Sequence, residues 1–208
     1  MTEWTILWEA RELFFDGLMA TLGLFALSIS CAFVLGCVLV FLLEEGNRLS
    51  KVLRVSINLM RTLPFLILAY LLYYGLPALG LRMSAWTAGL LALVIYHAAY
   101  FAEILRGSRL VLPEGYIEAA KAHGFTPLRL YLRITLPQLM IKTRPLLGNQ
   151  LIIALKDTAF LTIITVQELT AAANSVQSTY FIPTQAFVVV IVMYWLISIC
   201  LELALKRA

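Results

Sequence analysis

Apolar residues in this chain come in runs far longer than those of a soluble core. Five runs lie at 17–43, 55–76, 84–105, 146–166 and 185–205. Each is close to the ~20 residues that a helix needs to cross the hydrocarbon core of a bilayer, and the first is long enough to be tilted. The pattern predicts an all-α integral membrane protein with five transmembrane helices, organised as a single domain over 1–208.

A short amphipathic segment precedes the first run. Its large apolar residues recur at helical spacing and its acidic residues lie opposite them: Trp4, Leu7, Trp8 and Phe15 against Glu3, Glu9 and Glu12. This predicts an interfacial helix on the membrane surface. Because the N-terminus has no basic start and no cleavage site, no signal peptide is expected, and the first span should act as its own insertion signal.

Composition agrees with a membrane protein, since 62% of the residues are hydrophobic and 13% are charged. Twelve of the sixteen Lys and Arg residues fall in the 44–54 loop, the 106–145 loop and the C-terminus. The positive-inside rule therefore predicts an outside N-terminus and a cytoplasmic C-terminus. This sorting accounts for the net charge of +4, so no nucleic acid partner is expected. Cys31, Cys37 and Cys200 lie in apolar runs and predict no metal site or disulfide.

The 106–145 loop, of about forty residues, should have its own structure. Pro113 can open a first helix that ends at Gly124, where a left-handed residue is needed. Thr126 and Pro127 then provide an N-cap and a first helical residue for a second helix. Pro137 is expected to stop that second helix.

The same loop resembles the signature loop of bacterial ABC importer permeases. That signature runs Glu-Ala-Ala, three residues, Gly, nine residues, Ile-x-Leu-Pro. The matching residues are Glu118, Ala119, Ala120, Gly124, Ile134, Leu136 and Pro137. An ordinary amphipathic surface helix is the alternative on composition alone, but so many matched positions within a predicted cytoplasmic loop favour the resemblance.

Other motifs are similar to those of the polar amino acid permeases, the group that takes up histidine, glutamine and arginine. They are Tyr-Tyr-Gly-Leu-Pro at 73–77, Ala-Tyr-Phe-Ala-Glu-Ile-Leu-Arg-Gly at 99–107, Leu-Lys-Asp-Thr at 155–158 and Val-Gln-Glu-Leu-Thr at 166–170. One motif departs, because the chain has Arg61-Thr62-Leu63-Pro64 where the family commonly has Arg-Gly-Thr-Pro. The resemblance covers 17–205, nearly the whole chain.

The resemblance implies a type I ABC importer fold over 17–205, with cytoplasmic coupling helices at 113–137. It also implies a permease homodimer or heterodimer, two separate ABC ATPase subunits, a periplasmic solute-binding protein and an amino acid substrate. Glu118, Ala119, Ala120 and Gly124 would contact the ATPase. The chain has no Gly-x-x-x-x-Gly-Lys-Ser/Thr loop, so it is expected to be non-catalytic and to hold no cofactor, with ATP-Mg bound by the partner ATPase.

Lys156 and Asp157 fall at the centre of the fourth span, where ionisable groups are expensive and usually face a bundle interior or a wet cavity. Asp157 suits the ammonium of an amino acid, Thr158 can donate a hydroxyl hydrogen bond, and Lys156 or Arg61 can face the carboxylate. These four residues are the candidate substrate site. The alternative is that the pair fixes helix packing through partners on other spans or across a dimer.

Several other polar residues favour structural roles. Glu103 and Arg106 can pair as i, i+3 neighbours at a membrane boundary, and Arg61 can also extend to the cytoplasmic interface. His97 has no second ligand at metal spacing and predicts a packed histidine. Glu168 is expected at the outer edge, either meeting the binding protein or as a solvated helix end. His123 belongs to the loop helix and can touch the ATPase.

Three rival functions stay open on the sequence. An intramembrane enzyme using Asp157, Glu103 or His97 lacks a nucleophile–base pair. A proton-driven transporter often has an inverted repeat, which five spans do not display. A heterodimer half whose partner holds all the substrate is the third. No residue in the sequence indicates which amino acid side chain is recognised, so basic, neutral polar and opine-like substrates all remain open.

Overall fold

The computed structural model describes residues 3–44 and 48–207, and every regular element in these ranges is helical. Residues 45–47 of the 44–54 loop lie outside the described residues. The helices are α1 (Glu3–Glu9), α2 (Arg11–Glu44), α3 (Arg48–Thr62), α4 (Phe65–Tyr70), α5 (Ala85–Leu110), α6 (Glu114–Ala122), α7 (Pro127–Leu130), α8 (Leu136–Asp157), α9 (Leu169–Tyr180) and α10 (Pro183–Arg207). A π-helix (Leu71–Gly75) and a 3₁₀ helix (Leu76–Leu79) continue α4, a π-helix (Tyr131–Thr135) joins α7 to α8, and a 3₁₀ helix (Thr158–Ile164) continues α8.

Four helical stretches are long and apolar enough to cross a membrane: Arg11–Glu44, Ala85–Leu110, Pro127–Ile164 and Pro183–Lys206. A fifth span is possible if Arg48–Thr62 and Phe65–Leu79 are counted together, although they are bent by 105°. The bend falls at Pro64, which has an extended backbone and cannot donate the amide hydrogen bond that would continue α3. The expected all-α membrane fold is thereby confirmed.

The fourth span differs from its expected bounds because Pro137 does not stop the second loop helix. The helix continues from Pro127 through the π-helical turn into α8. In that turn the Leu136 amide bonds to the Tyr131 carbonyl, five residues back. The wider turn re-pairs the backbone next to the proline ring, which removes one amide donor. The helical stretch therefore begins at 127 rather than at 146.

The described chain forms two compact units, and α2, α5 and α8 each contribute residues to both. The first unit comprises 1–29, 64–93 and 151–208. Its main core joins α1, α2, α9 and α10, and includes Leu7, Phe14, Leu169, Val176 and Val190. Trp4 and Trp8 are exposed while Leu7 is buried, so the expected N-terminal helix is present and packs by one edge against α10.

The second unit comprises 30–63 and 94–150. Its core includes Val40, Leu105, Tyr131 and Leu139, and the Tyr131 hydroxyl donates a hydrogen bond to the Cys37 carbonyl at 2.7 Å. α2 approaches α5 very closely at Gly36, where an added Cβ would lie 2.8 Å from the Phe101 Cβ. A glycine is needed there because the two backbones leave no room for a side chain.

Candidate functional site

The charged pair lies where a span changes its helical type. Lys156 and Asp157 are the last two residues of α8, and the chain continues from Thr158 as a 3₁₀ helix. A 3₁₀ stretch within a long helix often marks a hinge. Lys156 is exposed, Asp157 is half-buried and Thr158 is fully buried, so the three neighbours occupy three different environments.

Thr158 is engaged inside the first unit. Its hydroxyl donates to the Leu155 carbonyl at 2.6 Å and lies 3.3 Å from the Tyr194 hydroxyl. The residue therefore ties the start of the 3₁₀ helix to α10. Its hydroxyl serves the packing of this unit in the structure, whereas the sequence predicts a substrate contact for it.

Glu168 belongs to the same hydrogen-bonded network as Thr158 and Tyr194. It is fully buried, and its carboxylate accepts backbone N–H bonds from Thr170 and Ala171, both at 2.8 Å, as the N-cap of α9. The Tyr194 hydroxyl donates to the same carboxylate at 3.1 Å. The expectation of a solvated helix end or of a surface that meets the binding protein is therefore wrong for Glu168.

Burial raises the pKa of the Glu168 carboxyl above its ordinary value, while the hydrogen bonds from Thr170, Ala171 and Tyr194 oppose that rise. Little in the sequence indicates this buried site, because glutamate is not among the preferred N-cap residues. The only local signals are the alanines at 171–173 and Pro183 shortly after the helix end.

Lys156 and Tyr194 share a groove of about 390 Å³ within the first unit. Its other walls are mostly apolar and come from α9, α10 and the 3₁₀ helix: Ala159, Thr170, Val190, Ile191, Trp195 and Ser198. Asp157 and Thr158 are not part of this lining. The groove thus offers one ammonium and a few hydroxyls to a small polar molecule.

Two interrupted helical segments pack together in the first unit. The rings of Phe65, just after the Pro64 break, and Phe160, in the 3₁₀ helix, have centroids 6.4 Å apart. The Tyr74 hydroxyl reaches the Ile163 carbonyl at 3.5 Å. Thr165, which ends the 3₁₀ helix, has φ = 68°, a strained conformation for a β-branched residue. Paired broken helices of this kind are typical of transporter substrate pathways.

Arg61 belongs to the second unit and is already paired there. Its guanidinium lies 3.5 Å from Glu103, and Glu103 also holds Arg106 through two bonds of 2.6 and 2.7 Å. Tyr100 adds a ring 5.7 Å from the Arg61 guanidinium and a hydroxyl that donates to the Arg61 carbonyl at 3.2 Å. The predicted Glu103–Arg106 pair is confirmed, and the extension of Arg61 toward the cytoplasmic interface stays a prediction.

The 106–145 loop has the predicted caps. α6 begins after Pro113, and Gly124 follows it with φ = 73°. The Gly124 and Phe125 amides bond to the Lys121 and Ala120 carbonyls at 2.9 and 3.1 Å, which closes the helix end. Thr126 then caps α7 by accepting from the Arg129 amide at 3.4 Å.

The two faces of α6 differ. Glu118 and Ala119 are exposed, as are Gly124 and His123, whereas Ala120 is 6% exposed and packs into the second unit. Ala120 is therefore placed to support the helix from within, and Glu118 and Ala119 are placed for an outside partner. Docking of an ATPase on these residues stays a prediction.

His97 is a packed histidine, as predicted. It is fully buried, and its Nδ1 lies 2.8 Å from the Gln150 side-chain nitrogen. Within the described ranges no group of three or more His, Cys, Asp or Glu residues is arranged to hold a metal ion.

Several known proteins are similar to this chain in sequence and in fold. Residues 28–207 match the family described as "Binding-protein-dependent transport system inner membrane component". The probable glutamine ABC transporter permease protein GlnM of Bacillus subtilis (strain 168) is 30% identical, over 97% of this chain and 94% of that protein. The octopine transport system permease protein OccM of Rhizobium meliloti is 34% identical, over 87% and 78%.

A solved structure of an amino acid ABC transporter with histidines is similar over 100% of this chain and 97% of that one, with a TM-score of 0.86 and 27% identity. The capped helix α6, the broken spans and the membrane-length helices thus occur together in a chain whose fold is similar to that solved structure over nearly its full length. The chain belongs to the family of binding-protein-dependent transport system inner membrane components.

Proposed function

We propose that this chain is the permease subunit of an ATP-driven importer that takes up a polar amino acid or an amino-acid-like compound such as an opine. It lies in the bacterial inner membrane with the N-terminus outside and the C-terminus in the cytoplasm. The names of the relatives, which include glutamine and octopine permeases, support the substrate class. The distribution of Lys and Arg supports the orientation.

The observation that carries this proposal is the exposed face of α6. Glu118 and Ala119 stand on a short helix that is capped at its end and supported from within by Ala120. Such a helix can enter a groove on another protein, and the carboxylate can pair with a basic group there. We assign this face to a separate ABC ATPase, two copies of which bind ATP-Mg and hydrolyse it.

The permease works as a homodimer or heterodimer and receives its substrate from a periplasmic binding protein. Closure of the ATPases on ATP moves α6 and α7, and the continuous helical stretch Pro127–Ile164 carries that motion to the 3₁₀ hinge after Asp157. A rigid helix transmits displacement along its axis, so the pathway can alternate between outward and inward openings.

For the substrate path we keep Asp157 as the partner of the amino acid ammonium and Lys156 as the partner of its carboxylate. Lys156 and Tyr194 line the same groove, and Asp157 is the half-buried neighbour of Lys156 in the chain. Thr158 is a positioning residue, since its hydroxyl holds the hinge to α10. Arg61 acts through its pairing with Glu103.

The test is uptake and ATP hydrolysis by the whole complex in proteoliposomes, with the binding protein and a panel of polar amino acids and opines. Glu118→Lys should assemble but lose stimulated hydrolysis and uptake. Glu202→Lys is the matched control, because Glu202 is also an exposed acid and forms a surface pair with Lys206. Wild-type uptake by Glu118→Lys would contradict the coupling assignment.

Asp157→Asn removes the charge at the hinge with little change in shape. If the complex assembles and hydrolyses ATP but uptake falls by about tenfold or more, the charge belongs to the substrate path. Disassembly of the complex would instead make Lys156 and Asp157 packing residues. Normal uptake would place the ligand in the partner subunit.

A further inference from the structure

The second unit contains a basic cavity that the transport mechanism does not use. Its volume is about 570 Å³, and four cations and one carboxylate are part of its lining: Arg54, Arg106, Arg109, Lys121 and Glu44. The cations come from three elements, α3, α5 and α6, so the fold rather than one charged segment brings them together.

The cavity lies at the level where two spans end. Val40 to Glu44 form the last turn of α2, and Arg106 to Leu110 form the last turn of α5. Both helices are long and apolar enough to cross the membrane. The cavity therefore opens at the boundary between hydrocarbon and headgroups, on the cytoplasmic side if the orientation under the proposed function is correct, and the inference rests on that orientation.

Among the residues that the structure describes, two of the four cations are held in salt bridges and two are not, although the charge of Arg54 also acts on Glu103 at longer range. Arg109 bonds to Glu44 at 2.7 Å, and Arg106 is held by Glu103. Arg54 and Lys121 form no salt bridge with any other residue that the structure describes. A cavity with two cations that form no salt bridge within the described residues attracts an anion, and the apolar surroundings strengthen that attraction compared with open water.

The rest of the cavity wall is apolar, and this favours an anion with an attached hydrocarbon chain over a small inorganic anion. Phe41, Ile117, Phe125 and Leu130 line it, and Leu110 lines its edge with 71% of its surface exposed. A small inorganic anion gains nothing from these side chains. An amphiphile gains from both parts, with its charged end on Arg54 and Lys121 and its hydrocarbon along Leu110.

We propose that this cavity binds the phosphate headgroup of an anionic phospholipid. Basic pockets at the cytoplasmic ends of spans are suited to such headgroups. Lys121 and Ile117 belong to α6, so the bound lipid would brace the inner face of the coupling helix, opposite Ala119. Membrane charge would then affect how strongly ATPase motion is passed to the spans.

The experiment uses the complete permease–ATPase complex and phosphatidylglycerol as the probe. Native mass spectrometry counts phosphatidylglycerol retained during titration in detergent, with phosphatidylcholine as the uncharged comparison. Arg54→Gln combined with Lys121→Gln removes the two cations for which the described residues offer no salt bridge. Lys51→Gln combined with Lys142→Gln is the matched control, since both lysines are exposed and neither lines the cavity.

Each lost cation should weaken binding about 5-fold, so the double variant should bind phosphatidylglycerol about 25-fold more weakly and the control about as well as wild type. Stimulated ATP hydrolysis should rise for wild type when vesicles of phosphatidylcholine alone are replaced by equal parts of phosphatidylcholine and phosphatidylglycerol. The Arg54→Gln/Lys121→Gln variant should lose that rise while keeping its basal hydrolysis.

If both double variants lose phosphatidylglycerol binding equally, the proposed site is overturned, because the loss then reflects the overall surface charge rather than this cavity. Competition by millimolar inorganic phosphate would overturn the lipid assignment. Failure of the proposed function is a separate result, since it would show as absent substrate stimulation of wild type in every vesicle, whatever the lipid titration gives.

Discussion

Replacing Glu168 by alanine should strongly destabilise the first unit, although Glu168 lies in a short connection between two helices. The buried carboxylate accepts the amides of Thr170 and Ala171 and the hydroxyl of Tyr194. Alanine leaves both amides without acceptors. Its small side chain also removes the Glu168 carboxylate as an acceptor for the Tyr194 hydroxyl, which still has Thr158 at 3.3 Å.

The size of the effect follows from these contacts. Loss of an N-cap costs about 0.5–2 kcal/mol, and an unsatisfied buried polar group costs about 1–3 kcal/mol. Relief from burying a carboxylate offsets part of this cost. We therefore expect Glu168→Ala to lower the free energy of unfolding by about 2–3 kcal/mol.

The assay is SDS-induced unfolding in mixed micelles, followed by circular dichroism, for Glu168→Ala, Tyr194→Phe and the double variant. Tyr194→Phe removes only the hydroxyl. The coupling energy from the cycle should be about 1 kcal/mol, within the range for hydrogen bonds in membrane proteins. A coupling energy near zero, or a Glu168→Ala loss below about 0.5 kcal/mol, would refute the argument that this network holds α9.

The raised pKa of Glu168 also predicts how the stability of the first unit depends on pH. Because burial raises the pKa of Glu168 above its ordinary value of 4.5, the folded state holds the proton more tightly than the unfolded state. That contribution is fully present below pH 4.5 and is lost as the pH rises through the folded-state pKa. Glu168→Gln does not titrate there, so the stability advantage of wild type over Glu168→Gln should shrink as the pH rises. A widening gap would show that the hydrogen bonds outweigh burial.

Two further predictions concern packing and ion pairing, both measured by the same unfolding assay. Gly36→Ala should cost about 1–3 kcal/mol, because its Cβ would lie 2.8 Å from the Phe101 Cβ. Gly23→Ala on the same helix meets nothing within 4 Å and should be neutral or stabilising by up to about 1 kcal/mol, so equal effects would refute the close approach. Glu103→Gln should cost about 1 kcal/mol, since it breaks a two-bond pair that is 22–35% exposed. Glu202→Gln, in a pair that is 55–69% exposed, should cost less than about 0.5 kcal/mol.

Local chemistry explains which features the sequence could predict. Long apolar runs need helices in a bilayer, because no other local structure satisfies their backbone hydrogen bonds. The ends of α6 and α7 were predictable because Gly124 and Thr126 act on amides and carbonyls within a few residues. The Glu103–Arg106 pair is also local, one helical turn apart. The resemblance to ABC importer permeases came from spaced motifs and agrees with the family match.

Other features depend on residues far apart in the chain. Glu168 is buried because α10 covers it and Tyr194, 26 residues later, bonds to it. Arg61 has its partner at Glu103, 42 positions away, so its pairing was not visible in a span read alone. The helix passes Pro137 because a π-helical turn re-pairs the backbone, which a rule for isolated prolines does not include.

The sequence by itself determined that this chain crosses a membrane, where its main spans lie and which loop has the coupling signature, since these follow from apolar length, charge sorting and spaced motifs. Only the tertiary structure decided that the span after Asp157 becomes a 3₁₀ helix, that Ala120 turns inward, and that Arg54 and Lys121 meet in one cavity. The physical reason is that burial and charge placement depend on contacts between distant segments, and no local propensity encodes them.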